Sequence, residues 1–226
     1  MRAPISVIIP TYNAAQDLPA CLSALGEGLS AGLIRELIIS DGRSDDDTKT
    51  IAEAAGATWL TGPAGRGGQL RRAAEAAEGA WLLALHADTC LERGWSDAVL
   101  SCLADPETAY YSHLRFDAGG FAPRVVAGWA NLRSAMFRLP YGDQTLLIAR
   151  DVYEAVGGYD DIPLMEDVAI ARRLGPRLKP SGATAVTSAD KFQRRGWINR
   201  GSRNLWLLGR YLAGADPAEL ARVYRK

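Results

Sequence analysis

Four short stretches put acids, hydroxyls and rings where chemistry can happen: Pro10-Thr11-Tyr12-Asn13, Asp41-Gly42, His86-Ala87-Asp88 and Glu166-Asp167. The first three each follow a run of apolar, largely β-branched or leucine residues, so each is expected at a strand end. Residues two apart on a strand share a face, so His86 and Asp88 can address one ligand while Ala87 turns inward. A carboxylate oxygen beside phosphate oxygens suits magnesium or manganese. Asp88 could equally open a turn before the next helix, and spacing alone leaves the two readings level. Glu166-Asp167 offers a carboxylate to deprotonate an attacking hydroxyl. Acids there, with Arg172-Arg173 further on, are also what a helix dipole favours.

Other candidates carry weaker signals. Asp41-Gly42 alone is a common turn. Gly65-Arg66-Gly67-Gly68 reads as a flexible turn into a helix, or as backbone N–H groups that receive an anion. Tyr12 is as readily surface packing as a stacking platform. Gly142-Asp143-Gln144 forms a further polar cluster without an assigned role.

The elements that must position these residues alternate through the first half. Strands are expected at Ile5–Ile9, Glu36–Ser40, Thr58–Leu60 and Trp81–Leu85. Helices are expected up to about Leu29, at Asp45–Ala55 and at Arg66–Glu78, with Gly79 as a stop. This pattern implies a mostly parallel sheet with right-handed crossovers, whose carboxyl edge gathers the loops. The second half is less regular. A helix is expected near Leu91–Ala104, with Thr89 and Glu92 at capping-box spacing. Strands follow at Ala109–Phe116 and Gln144–Ala149, then a helix at Glu166–Leu174 and one or two over Trp197–Tyr224. Without repeats or linkers, residues 1–226 read as one domain. Within it, about 1–105 and about 106–190 are two halves and 191–226 is a basic helical segment.

Lys plus Arg balance Asp plus Glu at 26 each, so no global charge draws the chain to nucleic acid. Cys21, Cys90 and Cys102 make no framework, which points to a reducing cytoplasm. The N-terminus shows no signal-peptide pattern, and no stretch is long and apolar enough to span a membrane.

Taken in order, Ile5-Ser6-Val7-Ile8-Ile9-Pro10-Thr11-Tyr12-Asn13, Ser40-Asp41-Gly42-Arg43-Ser44-Asp45-Asp46-Asp47-Thr48, His86-Ala87-Asp88 and Met165-Glu166-Asp167 resemble a bacterial family 2 glycosyltransferase. The likeness covers roughly the first 175 residues and continues more loosely beyond. Arg66-Gly67-Gly68-Gln69, Tyr141-Gly142-Asp143-Gln144 and Ile162–Asp167 resemble a short subgroup, some members of which are named for arsenosugar biosynthesis. The resemblance implies an α/β GT-A fold and a nucleotide-sugar donor, typically a UDP-sugar. It implies an inverting transfer to a hydroxyl acceptor, with Mg or Mn as cofactor. Residues of about 1–105 would form a nucleotide-binding half and about 106–190 an acceptor half, and Pro10, Thr11, Tyr12, Asn13, Asp41, Arg66, His86 and Ala87 would line the nucleotide site. Asp88 would hold the metal, and Asp167, with Glu166 beside it, would be the general base. The family usually has Asp-x-Asp where this chain has His86-x-Asp88. Gln193-Arg194-Arg195-Gly196-Trp197 resembles the Gln-x-x-Arg-Trp motif of processive synthases, but with Gly196 where Arg should stand. One sugar per acceptor is therefore expected.

Arg194 and Arg195 are expected to contact the donor diphosphate, and Asp143 and Gln144 to contact acceptor or phosphate. For Trp197–Tyr211 an ordinary packed helix ranks ahead of an amphipathic helix making weak peripheral contact with the inner membrane face. Two other functions compete: a sugar-phosphate nucleotidyltransferase, and a non-catalytic nucleotide-sugar binder prompted by His86. A nucleotidyltransferase would carry its Gly-rich loop after strand one, whereas here that loop follows strand three.

Overall fold

The computed structural model describes residues 3–225, with the side chains of Arg195 and Arg225 outside that description. Its strands are β1 (Ile5–Thr11), β2 (Ile34–Asp41), β3 (Thr58–Thr61), β4 (Trp81–Ala84), β5 (Thr89–Leu91), β6 (Ala109–Phe116), β7 (Leu146–Ala149) and β8 (Leu178–Thr187). They form one sheet in the order β3-β2-β1-β4-β7-β6-β8-β5. All seven residues of β1 are buried, as expected of a central strand covered on both faces. β1 runs parallel to β2 and β4, and β2 parallel to β3. Beyond β4 the sheet is mixed. β7 is antiparallel to β4 and β6, β8 is parallel to β6, and β5 is antiparallel to β8. The expected parallel sheet thus describes the first half only.

Ser6 is the one polar side chain inside the apolar run of β1, and it is fully used. Its hydroxyl donates to Glu36 at 2.5 Å and accepts from Gly79 N–H at 2.8 Å. A Cβ on Gly79 would lie 2.6 Å from the Ser6 nitrogen. Gly79 therefore permits a close backbone approach; the preceding helix, Arg66–Ala76, has already ended.

The expected helix over Leu91–Ala104 needs correction. Thr89–Leu91 is strand β5, paired with Thr187–Ala185, and the helix spans only Trp95–Cys102. Its cap comes from another helix, Gly26–Ser30. The Glu27 carboxylate accepts from Gly94 N–H at 2.9 Å and Ser96 N–H at 2.8 Å. Pairing with β8 holds Thr89 in a strand, so local capping chemistry yields to it.

Helices Phe121–Phe137 and Arg150–Ala155 and strand β8 have no clear pattern in the sequence. β8 contains Pro180 and Gly182, which read as breakers. The structure absorbs them in an irregularity, where Tyr111 pairs with Pro180 but His113 with Thr184. The C-terminal segment forms helices Asp190–Arg195, Trp197–Leu212 and Pro217–Arg225. Leu207, Leu208 and Leu220 pack the last two against Leu164, Met165 and Val168, and Phe192 packs the first against Phe116 and Trp197. Among the described residues no helix is long and apolar enough to cross a membrane.

Trp95 is fully buried, donates Nε1–H to Ala24 O at 3.0 Å, and lies against Gly28, where a Cβ would come 2.3 Å from its ring. Gly28→Ala should therefore lower unfolding stability by about 1–3 kcal/mol, the usual cost of overpacking a core. Urea denaturation checks this, and an unchanged midpoint contradicts the packing.

Candidate functional site

The loops after β1, β3 and β4, the segments around Gly142 and Asp167, and the C-terminal helices enclose one cleft of about 380 Å³. Pro10, Thr11, Tyr12, Asn13, Arg66, His86, Ala87, Asp88, Asp143 and Asp167 all line it. Residues up to 157 positions apart in the sequence thus reach one concavity, and the register of β1 explains the first of them. Thr11 pairs with Asp41, and Asp41 with Thr61, so three strands end level.

At that edge the Tyr12 ring is 62% exposed, free to meet a planar ligand. Asp41 lies behind it, fully buried and outside the cleft lining. Its carboxylate accepts from Thr11 Oγ1 (2.9 Å), Ser44 N–H (2.7 Å) and Ser44 Oγ (2.6 Å). In this arrangement Asp41 positions Thr11 and the 42–48 loop. Asn13, at φ 49°, ties the same loops together, accepting from Asp45 N–H at 3.0 Å and donating N–H to Ser44 at 2.8 Å. Gln69, which local pattern did not single out as a site residue, joins all of this. Its amide donates to Thr11 O (2.6 Å) and Ser40 O (2.7 Å), and its carbonyl accepts from Gly65 N–H (3.1 Å).

The glycines beside Arg66 are also explained by packing. A Cβ on Gly67 would lie 2.0 Å from Asp160 O, and one on Gly68 2.4 Å from Asp161 Oδ1. The loop 160–162 thus covers this face of the helix start, which was read as an anion receptor. Arg66 itself lines the cleft while its Nε sits 3.0 Å from Glu166 Oε1. Burial pushes the Glu166 carboxyl up and the Arg66 charge opposes that. Glu166 is fully buried, so it anchors Arg66 and does not face the cleft.

His86 and Asp88 lie beyond the end of β4, in a turn closed by Thr89 N–H donating to His86 O at 3.1 Å. The strand-face argument for them is therefore corrected: a turn, not a pleat, sets their directions. His86 Nε2 is shielded and unpartnered against Gly142, where a Cβ would come 2.4 Å from it. Burial, then the Arg66 charge, pulls the imidazole pKa down, so the ring is neutral. Asp88 has an unforeseen partner. Lys191 Nζ lies 2.6 Å from its Oδ2. The pairing of Thr89 with Thr187 delivers it, and Ser188 N–H donates to Asp88 O at 3.0 Å, so the next helix begins over the carboxylate. Burial raises the Asp88 carboxyl pKa, but the charge and hydrogen bond of Lys191 outweigh it and hold the group below its ordinary value.

Asp167 is held by two backbone donors: Gly142 N–H to Oδ2 and Val168 N–H to Oδ1, both at 2.7 Å. Met165 just before it has φ 68°, a left-handed conformation unusual for a side chain of this size. Gln144 is fully buried and outside the cleft lining, hydrogen-bonded to Ser134 Oγ (2.7 Å) and Ser112 O (3.2 Å). The expected acceptor contact from Gln144 is therefore corrected to a core brace. Arg194 is exposed and does not line the cleft, and the Arg195 side chain lies outside the described residues. Arg66, Lys191 and Arg200 are cationic groups that line the cleft, with Asp17, Asn204 and Tyr224 beside them. Gly196 has φ 81° at the break between two helices, which accounts for glycine where the synthase motif has arginine.

The family model described as glycosyl transferase family 2 matches residues 6–150. The chain belongs to glycosyl transferase family 2. It is a glycosyltransferase, and its sheet and flanking helices are of the GT-A type. Three solved structures support that fold. The mannosyltransferase PcManGT from Pyrobaculum calidifontis, in complex with GDP-Man and Mn2+, superposes with TM-score 0.67 at 18% identity, over 99% of this chain and 68% of its own. S. aureus TarS gives 0.62 at 15%, over 96% of this chain; the glycosyltransferase described here spans only 41% of that protein. Glucosyl-3-phosphoglycerate synthase from Mycobacterium tuberculosis, with Mn2+, UDP and phosphoglyceric acid, gives 0.54 at 20%, over 82% and 69%. No curated protein matches the chain. Family membership favours the glycosyltransferase over the nucleotidyltransferase.

Burial pushes the Asp143 carboxyl up to about 6, against Arg133 and with help from Asp167. A raised pKa means the fold favours the protonated form. That stabilisation is complete below pH about 4 and is lost as pH rises through about 6. Asp143→Asn should therefore be little changed in stability at pH 4 and about 1–3 kcal/mol more stable than wild type at pH 8. Denaturant melts without nucleotide or metal check it; an equal difference at both pH values contradicts the shift.

Proposed function

We propose that this glycosyltransferase transfers a sugar from a nucleoside-diphosphate donor, with UDP as the nucleotide, to a hydroxyl acceptor. Transfer inverts the anomeric centre, with one sugar per acceptor. The observation that carries this reading is the single cleft shared by Tyr12, Asp88, Asp143 and Asp167. The structural neighbours PcManGT and glucosyl-3-phosphoglycerate synthase, solved with GDP-Man and with UDP, support a nucleotide-sugar donor. The ring of Tyr12 stacks on the base, and Thr11, set by Asp41 and Gln69, lines its pocket. Asp167 accepts the acceptor's hydroxyl proton as that oxygen bonds to the anomeric carbon. The sugar's bond to the diphosphate breaks on the opposite face, and its electron pair leaves with the nucleoside diphosphate. Two backbone hydrogen bonds hold the Asp167 carboxylate still, which favours such a role.

A divalent cation, Mg or Mn, fits this cleft in one respect. Asp17, Asp88, Asp143 and Asp167 face Arg66, Lys191 and Arg200, while Glu166 already neutralises Arg66. An incoming diphosphate adds negative charge, so a further positive charge suits the site. Asp88 offers one hard oxygen for it. Among the described residues no group of three or more His, Cys, Asp or Glu is placed to hold an ion alone. Asp88 would therefore hold the ion together with the donor's phosphates. When bound, it would neutralise charge developing on the leaving diphosphate. Lys191 occupies the same carboxylate oxygen, so ammonium and metal compete for it. Lys191→Met should raise Mn2+ affinity about tenfold, read by electron paramagnetic resonance of free Mn2+. An unchanged affinity removes the competition.

The test of function is release of UDP from a panel of UDP-sugars, followed by chromatography, with product stereochemistry read by NMR. Asp167→Asn should lower kcat by about 10²–10⁴-fold with little change in donor KM. Wild-type turnover in Asp167→Asn would sink the assignment of the base, and absence of nucleotide release with every donor would sink the function. The three cysteines are free, which is compatible with the cytoplasm proposed as its location.

A further inference from the structure

The helix Phe121–Phe137 is built inside out. Its inner face packs against β6, Phe192 and Trp197 through the small Ala127 and Ala130, and its other buried residues are Pro123, Arg133 and Ser134. Its outer face carries Phe121, Val125, Trp129, Leu132 and Met136, each between 47% and 84% exposed. At about 100° per residue these five fall within an arc of about 80°, on the side opposite the core. A surface helix ordinarily turns its large apolar residues inward, and a helix apolar on all sides is expected to be covered.

Charge indicates what covers it. From residue 118 to 142 there is no Asp or Glu, and Arg124 and Arg138 are exposed at the two ends of the stripe. From residue 191 to 215 there is again no acid, in the segment whose helix Trp197–Leu212 lies beside this one and exposes Ile198, Leu205, Trp206 and Leu212. Of the nine Lys and Arg that the two stretches carry, Arg133 is buried and Lys191 and Arg200 line the cleft, which leaves six. The chain is neutral overall, so all its compensating acids lie elsewhere. We infer that this face docks on an anionic lipid surface, the helix lying in the interfacial plane with its apolar stripe in the acyl boundary and arginines among the headgroups. A second copy of this chain is a poorer occupant. A two-fold contact would set one acid-free cationic face against another, and a contact with the acidic remainder would not close on itself. The cationic groups of helix Trp197–Leu212 are partly engaged within the fold: Arg203 donates to Val223 O and Arg210 lies 3.7 Å from Glu219. The stripe on Phe121–Phe137 is therefore the principal contact, which moves the membrane reading away from the C-terminal helix. The inference is independent of the donor and of the reaction. It bears on both, because Phe137 lies four residues before Tyr141 at the cleft.

The full chain is sedimented with vesicles of phosphatidylcholine alone and of phosphatidylcholine with phosphatidylglycerol, whose anionic headgroups supply the negative surface potential. Binding is expected to the anionic vesicles only, weakened by salt. Leu132→Glu with Met136→Glu should abolish it, and Arg124→Glu with Arg138→Glu, which leaves the stripe intact, should weaken it by about tenfold or more. Unchanged thermal melting of either pair shows that the fold is kept. Wild type remaining in the supernatant with anionic vesicles overturns the proposal. So does binding that neither pair alters, or a stable dimer by analytical ultracentrifugation that Leu132→Glu with Met136→Glu converts to monomer.

Discussion

A strand buried on both faces can place chemistry only at its ends. β1 is such a strand, and its parallel partners β2 and β4 are nearly as closed. Because β1, β2 and β3 end level, what the sequence can offer a ligand is forced to one edge, where Thr11, Tyr12 and Asn13 meet Arg66 and the turn after β4. The second half of the chain then has one task relative to that edge, which is to close it from above. It does so with two devices. β7 enters beside β4 and brings Gly142 and Asp143, and β8 pairs with β5 and brings Lys191.

These devices give the cleft its electrostatic character. Asp88, Asp167 and Glu166 are each held by a partner from a distant part of the chain: Lys191, Gly142 and Arg66. Carboxylates fixed in this way lose little further entropy when a ligand arrives, and fixed donors and acceptors cost little reorganisation during reaction. The ion pair on Asp88 adds a constraint, since a cation arriving with phosphates meets an ammonium already in place. Strain accompanies the arrangement: Met165 and Thr145, near Asp167 and Asp143, both have positive φ.

The first half of the fold was legible because central parallel strands read as continuous apolar runs and their polar ends stand out. Thr11, Tyr12 and Asp88 could be named from such ends, and Asp167 from the start of a helix. Lys191 could not be, because it reaches Asp88 across 103 positions through the β5–β8 pairing, and β5 itself was hidden in a helix-like stretch. Gln69 sits beside a glycine run whose pattern outweighs it, and Gln144, in a polar cluster expected to meet a ligand, is buried by long-range packing. β8 was obscured by Pro180 and Gly182, which local rules treat as breaks and the sheet absorbs as an irregularity. The helix Phe121–Phe137 escaped notice for the same reason that it is informative. Large apolar residues on its outer face erase the amphipathic period.

The claim on which this account rests is that donor diphosphate sits between Asp88 and the C-terminal helices, with the base against Tyr12. A crystal structure with UDP and Mn2+ tests it most directly. The account expects the diphosphate within about 3–4 Å of Asp88 or its bound ion, with Lys191 displaced from Oδ2. UDP bound away from Asp88, or bound there with Lys191 and the carboxylate still paired and no ion between protein and phosphate, would contradict it.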